Sequence, residues 1–328
     1  MQDVAARAGV STATVSRALS TPDILTPATL EKVRLAIEAL NYAPNLAGKG
    51  LRTRRTNRLL VTVPDISNPF YSSVIRGVEE LAQTAGYAVL LGDTRHDRDR
   101  EEECALLLRQ NEADGMILLA QRLPQSLAQT PPRDRYRLPI VNGCNFNPRL
   151  GISTVHIDNV TASREAVEYL VSLGHTRIGI ISGPSASPLC RDRLRGARTG
   201  GRGAELRTAT GDFTIDSGER CAGKLLDGDR PPTAFFCFSD EMAIGVISAA
   251  HRRGLRCPQD VSVVGFDDIR VAKSFIPPLT TIQQPMREIG RQTVKLMLEI
   301  LGGRVSKPIF VTLPHQLIIR ESTGPAPR

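Results

Sequence analysis

Residues 3–19 read DVAARAGVSTATVSRAL. The spacing predicts two short helices joined by a tight turn. The first runs from Asp3 to Ala8, Gly9 and Val10 make the turn, and Ser11 caps a second helix over Thr12 to Leu19. Ala5 is small enough to let the two helices cross closely. Val4, Ala8, Val10, Val15 and Leu19 supply a small core, which leaves Thr12, Ala13, Thr14, Ser16 and Arg17 on the outer face of the second helix. Short polar side chains and one arginine suit a helix lying in a DNA major groove, where arginine pairs bidentately with guanine. An ordinary helical hairpin with no such role satisfies the same spacing.

The pattern continues outward. Ser20 to Asp23 form a loop, and Thr26 caps a third helix with Pro27 in its first turn. Leu30, Val33, Ile37 and Leu40 recur with helical period, and Asn41 and Pro44 end the helix. Residues 45–58, NLAGKGLRTRRTNR, form a basic linker with two glycines. Nine Lys/Arg against four Asp/Glu give residues 1–58 a charge of +5, more than half of the +8 carried by all 328 residues. A small basic N-terminal module points to a polyanionic partner.

Beyond the linker the chain alternates between short apolar runs and amphipathic stretches. Strands are expected at Leu59–Val63, Tyr87–Leu91, Gly115–Leu119, Pro139–Asn142, Arg177–Ile181, Thr233–Phe238 and Val261–Phe266. Helices are expected at Tyr71–Ala85, Asp99–Asn111, Ala162–Ser172, Ser217–Leu226, Glu241–Arg253 and Met286–Leu301. Such alternation implies parallel sheets covered by helices, here two doubly wound α/β lobes behind an all-α headpiece. Ligands in such sheets sit beyond the carboxyl ends of the strands. Phe70, Tyr71, Arg193, Ser239, Asp240, Asp267 and Asp268 all fall there. A carboxylate, a guanidinium and an aromatic ring suit a polar ring or a sugar. Phe70 fits the core equally well, and Asp240 fits a helix cap.

Other classes fit poorly. No apolar run approaches the ~18 residues of a membrane span, and the first residues lack a secretory signal, so a cytoplasmic protein is expected. The six cysteines form no C-x-x-C pair and are read as reduced; no metal and no cofactor are expected. No nucleophile elbow, phosphate loop or dinucleotide fingerprint is present, and the five histidines are scattered, which argues against an enzyme. A plain solute-binding protein would lack the headpiece.

VSTATVSRAL (10–19) followed by LTPATLEKVRLAIEALNYAPN (25–45) resembles the headpiece of the LacI/GalR family of bacterial repressors. The resemblance continues through residues 59–323 in VPDISNPFYSSVIRGVEE, DGMILL, TVHIDN, SLGHTRIGIISGP, RLRG, FSDEMAIG, VSVVGFDD and PPLTTIQQP. It implies a helix-turn-helix headpiece (1–44), a hinge (45–58) and a two-lobed domain like a periplasmic sugar-binding protein (59–328). The N-lobe would take about 59–158 and 286–312, and the C-lobe about 159–285 and 313–328. Thr12, Ala13 and Arg17 fall where the family reads bases, with Ser11, Thr14 and Ser16 beside them. In the hinge, Leu51 would wedge into the minor groove, and Asn45, Gly48, Lys49 and Arg52 would contact DNA, with Arg54 and Arg55 adding phosphate contacts. Gly48 and Gly50 each cost such a helix roughly 1 kcal/mol against alanine.

For the sensor, the resemblance implies effector binding by Arg193 and Asp267, with Phe70, Tyr71 and Phe213 lining the pocket as in purine-responsive members. Ser187 stands where those members carry a ligand arginine, which argues against a purine base. GDT (92–94), RLP (122–124), PLC (188–190) and GDFT (211–214) resemble a nucleoside-responsive branch, with Asp267 on the ribose hydroxyls. A sugar effector or a protein co-regulator stays open. The resemblance further implies a homodimer on a pseudo-palindromic double-stranded operator; no leucine-heptad tail follows Arg320. Two departures stand out. The chain starts at Met1 without the threonine that caps the first helix in relatives. ARTGGRGAELRTAT (197–210) is several residues shorter than usual, and its Gly200, Gly201 and Gly203 are expected to weaken the second lobe.

Overall fold

A computed structural model of the chain describes residues 1–42 and 55–327. They divide into two units, Met1–Thr56 and Asn57–Arg328. The hinge residues Asn45, Gly48, Lys49, Leu51 and Arg52 lie outside the described residues.

The first unit holds α1 (Gln2–Ala8), α2 (Thr12–Ser20) and α3 (Pro27–Ala39). Helix α1 forms from Gln2 with no side-chain cap at Met1, and Gly9 ends it at φ 65°, a left-handed conformation that costs glycine little. The Ser11 and Thr26 hydroxyls accept the backbone N–H of Thr14 and Thr29, at the starts of α2 and α3. Val4, Ala5, Val15, Val33 and Ala36 are buried together, with Ala8, Val10 and Ala18 packed around them. Leu19 departs from expectation. It is 36% exposed, and Ala18 turns inward in its place. A core between three short helices is narrow, and the smaller side chain fits it.

The second unit is built around two six-stranded sheets. The elements running into the first are β1 (Arg58–Val63), α4 (Pro69–Thr84), β2 (Ala88–Asp93), α5 (Arg98–Arg109), β3 (Gly115–Leu118), α6 (Gln125–Ala128), β4 (Ile140–Gly143) and β5 (Ser153–Ile157). The chain then enters the second sheet through α7 (Asn159–Ser172), β6 (Arg177–Ser182), α8 (Pro188–Gly200), β7 (Glu205–Thr210), α9 (Ile215–Leu226), β8 (Ala234–Cys237), α10 (Asp240–His251), β9 (Ser262–Asp267) and β10 (Thr280–Gln283). It returns through α11 (Met286–Leu301) and β11 (Phe310–Leu313), and ends in the second sheet with β12 (Gln316–Ile318). The strand orders are β11-β5-β4-β3-β1-β2 and β12-β10-β9-β8-β6-β7. All pairings are parallel except β10 with β12.

Parallel strands covered on both faces read as continuous apolar runs rather than alternations. In β1, RLLVTV, every residue after Arg58 is buried. Arg58, placed in the linker from sequence, is therefore the first residue of the sheet. The chain passes between the sheets at Asp158, at Gln284–Pro285 and at Pro314–His315. Neither lobe is a single stretch of sequence.

The glycine-rich segment is built into regular elements. Helix α8 runs unbroken to Gly200, Gly201 and Gly203 fall in the turn beyond it, and β7 pairs with β6 along its whole length. A Cβ on Gly196 would meet the Val160 carbonyl oxygen at 2.1 Å, and one on Gly200 would meet that of Arg164 at 2.4 Å. Glycines one helical turn apart thus let α8 lie directly on the backbone of α7. The same device joins α4 to α11, where Gly77 faces the Arg287 carbonyl and Gly290 that of Val74. Gly196→Ala is expected to lower unfolding free energy by about 1–3 kcal/mol through overpacking. Gly228→Ala, whose Cβ would meet its nearest neighbour at 3.5 Å, should stay within about 0.5 kcal/mol of the parent. Urea denaturation of both variants checks the difference.

Candidate functional site

The carboxyl ends of the strands in both sheets face one cleft. Its walls include Pro64, Asp65, Phe70 and Tyr71 beyond β1, His96 beyond β2, Gln121 beyond β3, and Cys144 and Asn145 beyond β4. From the second sheet come Arg193, Phe213, Phe238, Ser239, Asp267 and Gln284. An adjoining hollow shares Pro64, Tyr71, His96 and Gln121 and is edged by Arg122 and Arg191.

Backbone strain marks the same rim. Arg95 (φ 49°), His96 (58°), Cys144 (77°), Phe213 (72°), Asp267 (114°) and Asp268 (59°) are left-handed without being glycine. Each follows or closes β2, β4, β7 or β9. Such residues cost roughly 1–3 kcal/mol apiece and persist where their surroundings over-determine them. The remaining non-glycine cases among the described residues are asparagines, which tolerate the conformation.

Arg193 is the centre of the cleft floor. It is 3% exposed. Its Nε donates to Asn159 Oδ1 at 2.8 Å, one terminal nitrogen donates to the Phe238 carbonyl, and the other lies 3.9 Å from Asp267 Oδ1. The guanidinium carbon sits 3.5 Å from the centroid of the Phe266 ring, a contact worth about 2 kcal/mol when desolvated. Burial pulls the Arg193 pKa down, against the pull of Asp267, yet a guanidinium keeps its charge in a protein.

Asp267 closes β9, 7% exposed. Its Oδ1 accepts from Gln284 Nε2 at 2.7 Å. Burial pushes its carboxyl up to about 7, against the lowering effect of Arg193 and Gln284. Phe70 and Tyr71 stand edge to face with ring centroids 5.3 Å apart. Burial also raises the Tyr71 phenol and the Cys144 thiol, so both stay neutral and available as donors. Ser239 caps α10, its hydroxyl accepting Met242 N–H at 3.2 Å.

Of the sensor residues singled out from sequence, Phe70, Tyr71, Arg193, Phe213, Ser239 and Asp267 line the cleft together. Asp240 does not. It is fully buried beneath the cleft floor, and Ser239, not Asp240, caps the helix. The Asp240 carboxylate is consumed by the Ile269 N–H and the Thr281 hydroxyl. Ser187 is likewise fully buried, capping α8 through Cys190 N–H. His96, Gln121, Cys144, Asn145 and Gln284 were missed, although each directly follows a strand or its turn.

On the first unit, Ser11, Thr12, Ala13 and Arg17 are exposed and Thr14 and Ser16 partly so. The Ser11 and Thr14 hydroxyls are 2.9 Å apart. Arg17 has no ion-pair partner among the described residues.

Residues 1–45 match the family model for bacterial regulatory proteins of the lacI family, and residues 167–323 match a periplasmic binding protein-like domain. The HTH-type transcriptional repressor CytR of Escherichia coli K12 is 43% identical over 100% of this chain and 97% of its own length. The chain belongs to the lacI family. Among solved structures, the lac repressor dimer bound to operator and the anti-inducer ONPF superposes with a TM-score of 0.87 at 28% identity, covering 98% of each chain. The transcriptional regulator CelR in complex with cellobiose gives 0.74 at 33% identity, again over 98% of each. This lacI-family chain is a DNA-binding transcription regulator, not an enzyme. Among its described residues no helix is long and apolar enough to cross a membrane.

The state of Asp267 has a measurable consequence. Its folded pKa lies above its unfolded one, so protonation and folding favour each other. The stabilising contribution is full below the ordinary carboxylate value and is lost as pH rises through about 7. The Tm of Asp267→Asn, relative to the parent, should therefore rise by about 2–4 °C between pH 5.5 and pH 8.5. A thermal melt at both pH values reads the change, and it is insensitive to any constant cost of the substitution.

Proposed function

We propose that this lacI-family regulator is a cytoplasmic repressor. In this reading it binds a pseudo-palindromic operator as a homodimer and is gated by a nucleoside held in the cleft. The observation that carries the effector reading is the Arg193–Asp267 pair. Both are buried, each keeps hydrogen-bonding capacity towards the cleft, and aromatic rings stand opposite. A carboxylate can accept both hydroxyl protons of a ribose diol, the guanidinium donates beside it, and the Phe70, Tyr71 and Phe213 rings can cover a base. The resemblance to nucleoside-responsive members supports this class, while the cellobiose-bound relative keeps sugars in the test.

Gating follows from where these residues are tied. Arg193 holds Asn159, the residue after the first crossover between the lobes, and Asp267 holds Gln284, at the second. A ligand that takes over part of either bond changes the restraint on a crossover, and so the balance between open and closed lobes. Coupling of this kind is typically worth about 1–3 kcal/mol, or roughly 5- to 150-fold in operator affinity. A helix-turn-helix unit covers only a half-site, so two copies are needed for one operator. Edge strand β2 and helix α5 carry the exposed Leu91 and Leu106, suited to a partner copy.

A thermal-shift panel of cytidine, uridine, adenosine, inosine, ribose and cellobiose tests the effector class. The Tm should rise with a nucleoside and not with ribose or cellobiose alone. Arg193→Ala and Asp267→Ala should abolish the change in operator affinity on saturating ligand while leaving ligand-free DNA binding intact. A response that persists in both variants places the gate elsewhere. Because Asp267 must be ionised to accept two hydroxyl protons, ligand affinity should also climb as pH rises through about 7.

For DNA, Thr12, Ala13 and Arg17 on the exposed face of α2 read base edges, with Ser11, Thr14 and Ser16 against the backbone. Arg17→Ala should weaken operator binding by about 1–3 kcal/mol and relax preference at one or two base pairs per half-site. Binding titrations on operator variants check this, since a uniform loss over all sequences makes Arg17 a phosphate contact instead.

A further inference from the structure

Asp240 is the most deeply buried carboxylate beside the cleft, and the cleft does not use it. It is fully inaccessible, in the first turn of α10. Its Oδ2 accepts Ile269 N–H at 2.8 Å, and its Oδ1 accepts the Thr281 hydroxyl at 2.5 Å. Room for it exists only because residue 265 is glycine, since a Cβ there would lie 2.2 Å from Asp240 Oδ1. Three elements therefore meet on one carboxylate: the start of α10, strand β10, and the chain just after β9.

That last segment is the strained one. Asp267 and Asp268 are consecutive left-handed non-glycine residues, at φ 114° and 59°. Ile269 follows them directly and is fixed by Asp240. On the other side, Asp268 is held by Arg320 and by Gln283, both at 2.7 Å. Gln283 pairs with Asp267 across β9 and β10, and Thr281 on the same strand is the second leg of the Asp240 bracket. Burial, with the Asp267 carboxyl beside it, pushes the Asp240 carboxyl well above the ordinary carboxylate range, against the two hydrogen bonds that its oxygens accept.

We propose that Asp240 is a positioning residue for the effector site, bracketing Ile269 to Thr281 so that Asp267 is presented to Arg193 and to the ligand. It touches no ligand itself. The proposal rests on the reading of Asp267 as an effector contact for its functional consequence, but its structural content is independent of any ligand.

Three variants separate bracket from bulk. Asp240→Ala removes both legs, and Asp240→Asn keeps an acceptor for Ile269 N–H and a polar partner for Thr281. Thr281→Val removes one leg at nearly constant volume, and serves if Asp240→Ala fails to fold. Ligand-free crystal structures of Asp240→Ala or Thr281→Val should show Asp267 and Asp268 leaving their left-handed conformation and the Asp267–Gln284 bond broken. In Asp240→Asn both should persist. With cytidine as probe, calorimetric affinity should fall about tenfold or more in Asp240→Ala, less in Thr281→Val, and return to within about threefold in Asp240→Asn. Operator affinity without cytidine should be unchanged in every folded variant, which a general loss of structure would not allow. An unmoved Asp267–Asp268 segment in either disrupting variant overturns the proposal, as does an Asp240→Asn affinity as poor as that of Asp240→Ala. If the parent binds none of the four nucleosides of the thermal-shift panel, the nucleoside reading falls, and the crystal structures still decide the bracket.

Discussion

A guanidinium taken out of water has to be matched on every side, and Arg193 imposes that requirement on the whole sensor unit. Its partners are the carbonyl at the end of one strand, the ring and carboxylate at the end of the next, and the amide of Asn159 where the chain first crosses between lobes. Removing one partner of a buried charge costs far more than the pair contributes. The ends of β8 and β9 and the start of α7 are therefore held in one arrangement by a single side chain. Asp267 answers part of that requirement from 3.9 Å, and Gln284 is tied in turn to Asp267.

Strain and burial cooperate around this centre. The left-handed residues follow or close the strands whose ends line the cleft. Their surroundings compensate locally, as Gln284 and Arg320 do for Asp267 and Asp268. The scaffold beneath is made of continuous apolar strands and glycine-spaced helix pairs, whose packing does not depend on what the rim binds.

Much of this was legible in the sequence. Ser11 and Thr26 announced two helix starts because capping is local chemistry. Strands β1, β3, β4, β6, β8 and β9 were visible because a buried parallel strand is an unbroken apolar run. Strands β7, β11 and β12 lie at sheet edges with half-exposed patterns, and carry no such run. Helix α8 was hidden for another reason. Its glycines depress helix propensity, and their use, close approach to α7, exists only once both helices are folded. The cleft followed the same division. Arg193 and Asp267 stood out as charges beside strand ends and as family positions. Asp240 carried the same signal and serves a different purpose, because burial beneath the floor is a tertiary fact. Cys144 and Gln284 also directly follow strands, but neither carries a charge or an aromatic ring to mark it.

The triple passage between the lobes also has a consequence for synthesis. The first sheet has five of its strands by Ile157, but β11 arrives only with Phe310–Leu313, and α11, which covers that sheet, only after Pro285. The second sheet waits for β12 at Gln316–Ile318. A nascent chain halted anywhere between residues 158 and 309 exposes β5 as an open strand edge, ready to pair with another chain. Residues 1–42, by contrast, have their own core and await nothing downstream. The order of emergence from the ribosome thus separates a unit that can fold at once from one whose two halves must be finished together, once β11 and β12 have both emerged.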